Sequence, residues 1–146
     1  MKKFITILII LLVAIQFIPT DKTNPPIDDS IKLTASEEVM SILKRSCYNC
    51  HSHETKWPNY SAIAPISWNI IGHVNNGRKA LNYSEWKTID PKIKIKRLER
   101  TIKTVNNGMM PLPNYLRFHD EAVLTDADKN ILVEWSKAEL LNLKGK

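Results

Sequence analysis

Cys47-Tyr48-Asn49-Cys50-His51 is the most informative stretch of this 146-residue chain. Two thiols three positions apart, followed directly by a histidine, form the pattern for covalent attachment of a c-type haem. The two sulfurs reach the two vinyl groups of one porphyrin, and the adjacent histidine is then held beneath the iron. We therefore predict one covalently bound haem c, carried by Cys47 and Cys50, with His51 as an axial iron ligand. A carbonyl group within residues 58–65 is expected to accept the other ring N–H of this histidine.

Two other interpretations of the same stretch stay open. Cys47, Cys50, His51 and His53 are possible ligands of a zinc ion, and the two thiols alone are a possible redox dithiol. A structural zinc site usually takes its ligands from two separated pairs, but the chain has no further cysteine. A thioredoxin-like dithiol follows a strand, whereas the residues before Cys47 have helical periodicity. Both features favour haem.

Met109-Met110-Pro111 is the second informative stretch. A thioether sulfur is a neutral, soft iron ligand that stabilises the ferrous state. The proline keeps the residue before it out of helical geometry, which suits a ligand on an irregular loop. We predict Met110 as the second axial ligand in preference to Met109, with His73 as a further alternative. His119 is a candidate to bind a haem propionate.

Residues 1–18 have the pattern of a signal anchor. Lys2 and Lys3 precede an almost unbroken apolar run of about fifteen residues, at the short end for a membrane-spanning helix. We predict an uncleaved, single-pass N-terminal membrane helix that places the rest of the chain on the periplasmic side of a bacterial cytoplasmic membrane. Cleavage and release into the periplasm is the alternative.

The remainder of the chain divides into two parts. Residues 19–33 contain three prolines and are expected to form an extended, solvated linker. Residues 34–146 are predicted to form an all-α, cytochrome c-like domain of four or five helices with long loops around one haem, whose first and last helices pack on each other. Capping residues or apolar periodicity predict helix starts at Thr34, Ile66, Asp90 and Thr125.

The formal net charge is +6, and many of the cations follow Pro91 in one helical stretch. Such a run is usually a solvated face, but it also suits docking of an acidic redox partner. No nucleic-acid partner is expected. The cations of this stretch are Lys92, Lys94, Lys96, Arg97, Arg100 and Lys103.

The chain from Cys47 to Trp135 resembles a family of small exported haem-binding domains related to the single-haem cytochromes c. The resemblance implies covalent haem c on Cys47 and Cys50, with His51 and Met110 as axial ligands. The chain departs from the family pattern at His53, His73 and Leu112. The residues that carry the resemblance, beyond the Cys47–Ser52 motif, are Trp57-Pro58, Tyr60, Ile63-Ala64-Pro65, Ser67-Trp68, Val74, Gly77-Arg78, Leu81-Asn82, Ser84-Glu85-Trp86, Met110-Pro111, Tyr115, His119 and Leu124.

These expectations lead to a function. Two ligands that stay bound in both oxidation states are typical of an electron carrier, here tethered to a membrane, rather than of an enzyme. If the sixth coordination position is open or weakly held, a haem sensor or a small peroxidase-like enzyme is the alternative.

Overall fold

The computed structural model describes residues 1–145, and within them it contains helices and no strands. The prediction of an all-α chain is confirmed for these residues. Four short 3₁₀ turns, at Ile15–Phe17, Asn59–Ala62, Tyr83–Thr88 and Asp120–Ala122, lie between the α-helices. The α-helices are α1 (Lys2–Ala14), α2 (Glu37–Ser46), α3 (Tyr48–His51), α4 (Ile66–Ala80), α5 (Pro91–Asn106), α6 (Pro113–Leu116) and α7 (Asp126–Lys144).

Side-chain caps begin α2, α5 and α7, whereas α4 starts after Pro65 without one. The Asp90 carboxylate accepts hydrogen bonds from the first backbone N–H groups of α5, and Thr125 forms a reciprocal capping box with Asp128 at α7, as predicted. The predicted start of α2 at Thr34 is wrong, because the hydroxyl of Ser36 caps this helix by accepting from the N–H of Val39. Both residue types are suitable caps, so the local sequence alone does not choose between them.

A single hydrophobic core joins α2, α5 and α7. Helix α5 packs along α7, and α2 also contacts α7, so the prediction that the first and last domain helices pack together is confirmed. Leu43, Leu98 and Leu132, one from each helix, are almost completely buried. Burial of each such side chain stabilises the fold by about 1.5–3 kcal/mol.

The short helix α3, which contains the cysteine motif, packs against α4. At the contact, Gly77 of α4 lies directly against the backbone of Cys50, and a Cβ atom at this position would overlap the Cys50 carbonyl group. The absence of a side chain at residue 77 is therefore what allows the two helices to approach. This contact fixes the position of the motif relative to the longer helix.

Residues 19–33 are mostly exposed, yet they are attached to the domain. The guanidinium group of Arg78 donates to the Thr23 carbonyl and the Asn24 side chain, and it also donates to the Ser52 carbonyl and the Thr55 hydroxyl. At the end of the segment, Leu33 is 2% exposed and belongs to the core. The segment is irregular and largely solvated, as expected, but it is pinned to the loop that follows the cysteine motif.

The N-terminal apolar segment forms a shorter helix than the sequence predicts. Helix α1 has 13 residues, which at about 1.5 Å per residue is about 20 Å long, against about 30 Å for a hydrocarbon core. Among residues 1–145, no helix is long and apolar enough to cross a membrane. The predictions of an N-terminal membrane helix and of single-pass membrane anchoring are therefore wrong. The sequence analysis expects the chain to associate with a membrane through its N-terminal segment, and that expectation depends on a helix long enough to span the membrane.

Gly77→Ala tests the contact between α3 and α4. We expect it to lower the free energy of unfolding by about 1–3 kcal/mol, because the new methyl group meets backbone atoms that have no rotamer to change. Gly72→Ala is the matched control in the same helix, because nothing lies within 4 Å of its Cβ position. It should be neutral or stabilising by up to about 1 kcal/mol. Chemical denaturation followed by circular dichroism measures both, and equal effects would contradict the proposed contact.

Arg78→Lys tests the attachment of residues 23–24. Lysine keeps the charge but lacks the planar fork of donors that reaches four acceptors, so we expect faster amide hydrogen exchange in residues 23–26 and 52–55. The free energy of unfolding should fall by about 1–3 kcal/mol. Arg97→Lys is the control, because within residues 1–145 the Arg97 guanidinium donates to the Lys79 carbonyl alone. Unchanged exchange in both segments would argue against this attachment.

Candidate functional site

The cysteine motif lies at the junction of α2 and α3. Cys47 ends α2, where its N–H donates to the Leu43 carbonyl, and its own carbonyl accepts from the N–H of His51 at 2.9 Å. Both cysteines are free thiols. Burial raises the pKa of Cys47 to about 12 and also raises the pKa of Cys50. Both groups are therefore neutral thiols in the folded chain at physiological pH.

The orientation of His51 is set by α4. Its Nδ1 atom lies 2.9 Å from the carbonyl oxygen of Leu81. Because a carbonyl can only accept, Nδ1 carries the proton and Nε2 keeps a lone pair for a metal. Burial lowers the pKa of the imidazole, which favours the neutral form. The expectation that a carbonyl within residues 58–65 accepts this N–H is wrong, because the end of α4 lies closer.

An apolar cavity of about 410 Å³ opens beside the motif, with Asn49 and Cys50 in its wall. This volume is within the usual range of cofactor sites, about 300–1,000 Å³. Four aromatic side chains and one side of α4 form most of the remaining wall. The aromatic residues are Trp57, Tyr60, Tyr115 and Phe118, and the α4 residues are Ile66, Asn69, Ile70, His73 and Val74.

The residues present fit a haem. Two free thiols and a neutral imidazole with the correct tautomer lie in the short motif whose Cys50 forms part of the cavity wall, while Cys47 and His51 are not among the lining residues. The indole Nε1 of Trp57 is in addition buried without a hydrogen-bond acceptor, which is the kind of group that a polar ligand can satisfy. Cys47, Cys50 and His51 would hold such a cofactor.

The positions of the candidate second axial ligands relative to the cavity do not follow the preference for Met110 that the sequence gives. Met110 is half-buried, its N–H donates to the Thr104 carbonyl, and it is not among the residues that line the cavity, whereas its neighbour Leu112 is. Met109 is 54% exposed. His73 is exposed on α4 and does line the cavity. His73 thus lines the cavity. Met110 does not, although Leu112, two positions later in the chain, does.

His119 belongs to a hydrogen-bonded group at the opposite wall. Its Nδ1 lies 2.9 Å from the Glu121 carboxylate and its Nε2 lies 2.7 Å from the Tyr60 hydroxyl, while its ring stacks on Tyr115. Both ring nitrogens therefore have partners within the chain. Asn49, from within the cysteine motif, donates to the Tyr115 hydroxyl at 2.7 Å. No sequence pattern indicated this bond, because the two residues are 66 positions apart.

The zinc interpretation of the motif finds little support in the geometry. His53 is buried, with Nδ1 near the Pro26 carbonyl and Nε2 accepting from the Asn82 side chain, so both nitrogens have partners other than a metal. Among residues 1–145, no group of three or more His, Cys, Asp or Glu side chains is arranged to hold a metal ion. A structural zinc site needs four such ligands.

The fold and the site together define an all-helical domain with an apolar cavity beside its cysteine motif. A family model described as a haem-binding domain matches residues 10–138, so the chain belongs to this haem-binding family, and the match supports haem as the cofactor. No curated protein and no solved structure matches the chain.

The two thiols give a pH-dependent prediction for the chain without cofactor. We expect iodoacetamide to alkylate the folded chain at pH 8 at least about tenfold more slowly than the chain in guanidinium, because the raised thiol pKa leaves little thiolate. Protection should persist below pH 9 and decline as the pH approaches 12. Since the folded-state pKa lies above the unfolded value, the associated stability is complete at low pH and is lost in this alkaline range. Glutathione serves as the reagent control, and equal rates in the folded and unfolded chain would contradict the burial of the thiols.

Proposed function

We propose that this chain is a c-type haem protein that carries one haem, covalently bound through Cys47 and Cys50, with His51 as an axial ligand. The observation that supports this most is the hydrogen bond from His51 Nδ1 to the Leu81 carbonyl, which leaves the lone pair of Nε2 for a metal in the residue that follows Cys50. The same bond fixes the plane of the imidazole ring before any ligand binds. A relationship to the single-haem cytochromes c is part of this proposal.

Met110 is our proposed second axial ligand. Leu112, two residues further along the irregular loop between α5 and α6, already lines the cavity, so Met110 lies on the loop that reaches the cavity wall. Gly108, with φ of 70°, starts this loop in a conformation that favours glycine. His73 is the competing ligand, because it is already at the cavity wall.

The proposed role is electron transfer. When bound, the haem supplies a one-electron couple between ferric and ferrous iron. The protein's contribution is to exclude water with an apolar wall and to hold the axial imidazole in one orientation through Leu81. An acidic redox partner would suit the exposed cations of α5, where Glu99 is the one acidic residue of the helix. The exposed cations are Lys92, Lys96, Arg100 and Lys103.

A second function is favoured by the position of Met110 outside the cavity wall. If no side chain takes the sixth coordination position, the chain is a haem sensor or a small peroxidase-like enzyme with an open site. This alternative requires an exogenous ligand to bind quickly. The electron carrier requires that it does not.

Covalent attachment can be tested on the full chain produced together with a cytochrome c attachment system. We expect a red protein whose colour stays with the polypeptide after acid-acetone extraction, because thioether bonds survive that treatment. Cys47→Ala together with Cys50→Ala should release the colour into the solvent. A colourless protein with two alkylatable thiols would refute the proposed function.

The second axial ligand can be tested by three variants of the coloured protein. We expect Met110→Ala to abolish the weak absorption band at the red end of the ferric spectrum that marks iron–sulfur ligation, and to allow carbon monoxide to bind the reduced form. Met109→Ala and His73→Ala are matched controls and should leave the band unchanged. Rapid carbon monoxide binding by the wild-type protein would instead support the open-site alternative. If His73→Ala is the one variant whose reduced form binds carbon monoxide, His73 is the second axial ligand.

A further inference from the structure

Trp57 has an unusual environment for a tryptophan at a cavity. Its Nε1 atom is inaccessible to solvent and has no hydrogen-bond acceptor within reach. A buried donor left in this state costs about 1–3 kcal/mol. The same side chain forms part of the wall of the apolar cavity and of a second cavity of about 360 Å³. Atoms of Trp57 line both spaces, and a ligand in either space reaches the N–H when the indole ring turns toward it.

The two cavities that share Trp57 differ in chemistry. The first, beside Cys50, is lined mainly by aromatic and aliphatic side chains. The second is polar, and the cations Arg78 and Lys79 face a single carboxylate, Asp21. An apolar compartment next to a polar compartment with excess positive charge suits a ligand that is apolar over most of its surface and carries carboxylates at one edge.

We propose that Trp57 donates its indole N–H to a propionate carboxylate of the haem, and that the propionate edge of the porphyrin lies at the boundary of the second cavity. This inference rests on the proposed function, in which the haem occupies the first cavity. Thioether bonds to Cys47 and Cys50 hold the vinyl-bearing side of the porphyrin beside α3. The propionates of a porphyrin lie on the side opposite its vinyl groups. Thr55 and Lys56 are hydrogen-bonded to Asn49 of the motif, and Trp57, the next residue, lines both cavities.

Two of the other donors at the cavity walls, Arg78 and His119, already have partners. The Arg78 guanidinium is engaged by two carbonyl groups and two side chains, so it contributes its charge to the second cavity more readily than a new hydrogen bond. His119 bonds Tyr60 and Glu121 through its two ring nitrogens. Trp57 differs from both, because its N–H is buried and without an acceptor. A charge-assisted hydrogen bond from this donor would both orient the porphyrin and relieve the cost of the unmet group.

The test uses the full chain purified without attached haem, and two probes: ferric haem and haem dimethyl ester, which lacks both carboxylates. Absorption titration gives the dissociation constant of each probe for the wild type, Trp57→Phe and Trp68→Phe. We expect the wild type to prefer the free acid by about tenfold or more, and Trp57→Phe to lose most of that preference while it binds the ester as the wild type does. Trp68, on α4 and 39% exposed, supplies the matched control, which should keep the preference.

Three outcomes would overturn the inference or its basis. If the wild type binds both probes equally, or if Trp57→Phe keeps the same preference as Trp68→Phe, Trp57 does not bind a propionate, while the proposed function stands. If neither probe binds the wild type and no covalent haem protein forms, the proposed function itself fails. Circular dichroism checks that each variant is folded.

A second measurement on the wild type makes the test independent of the variants. The chain labelled with ¹⁵N-tryptophan is titrated with diamagnetic zinc protoporphyrin and with its dimethyl ester. We expect one of the four indole N–H resonances to move downfield with the free acid and not with the ester. Fluorotryptophan substitution or the Trp57→Phe spectrum assigns that resonance. An identical response to both porphyrins would overturn the inference.

Discussion

The close contact between α3 and α4 is the constraint on which the site depends. The Cys50 backbone and Gly77 approach so closely that no side chain fits between them. Directly after the end of α4, the carbonyl of Leu81 reaches His51 and fixes the tautomer of its ring. The distance between the helices and the orientation of the imidazole therefore follow from the same packing. A wider separation would remove the hydrogen bond and leave the imidazole free to rotate.

Helix α4 and the residue after it organise the site through contacts made at residues 73, 77 and 81, which are spaced four positions apart. His73 and Gly77 lie on one face of the helix, since side chains four positions apart lie on the same side, and Leu81 is the extended residue directly after the helix. They serve in turn as cavity wall, contact with the cysteine motif and acceptor for His51. Arg78, on the adjacent stripe, connects the loop after the motif to residues 23–24. One helix thus joins the cofactor cavity, the motif and the segment that precedes the domain.

Several features of the fold could be predicted because their causes are local. The caps at Asp90 and Thr125 act within one turn, and the apolar periodicity of α4, α5 and α7 is read directly from neighbouring positions. Where two local signals competed, as with Thr34 and Ser36 before α2, the sequence did not separate them. The apolar run at the N-terminus predicts a helix, and a helix is present. It has only 13 residues, which is shorter than the run predicts. The choice between Met110 and His73 also stayed open, because each is separated from His51 by a loop whose path has no periodic signal.

The amino-acid sequence alone specified the helical class of the chain and a motif that pairs two thiols with a histidine, because both depend on residues a few positions apart. Membership of the haem-binding family agrees with that motif. Only the tertiary structure identified Leu81 as the partner of His51, Gly77 as the contact of Cys50 and Trp57 as a buried donor without an acceptor. Those relations join residues far apart in the chain, and they exist only when packing of the whole domain brings them together.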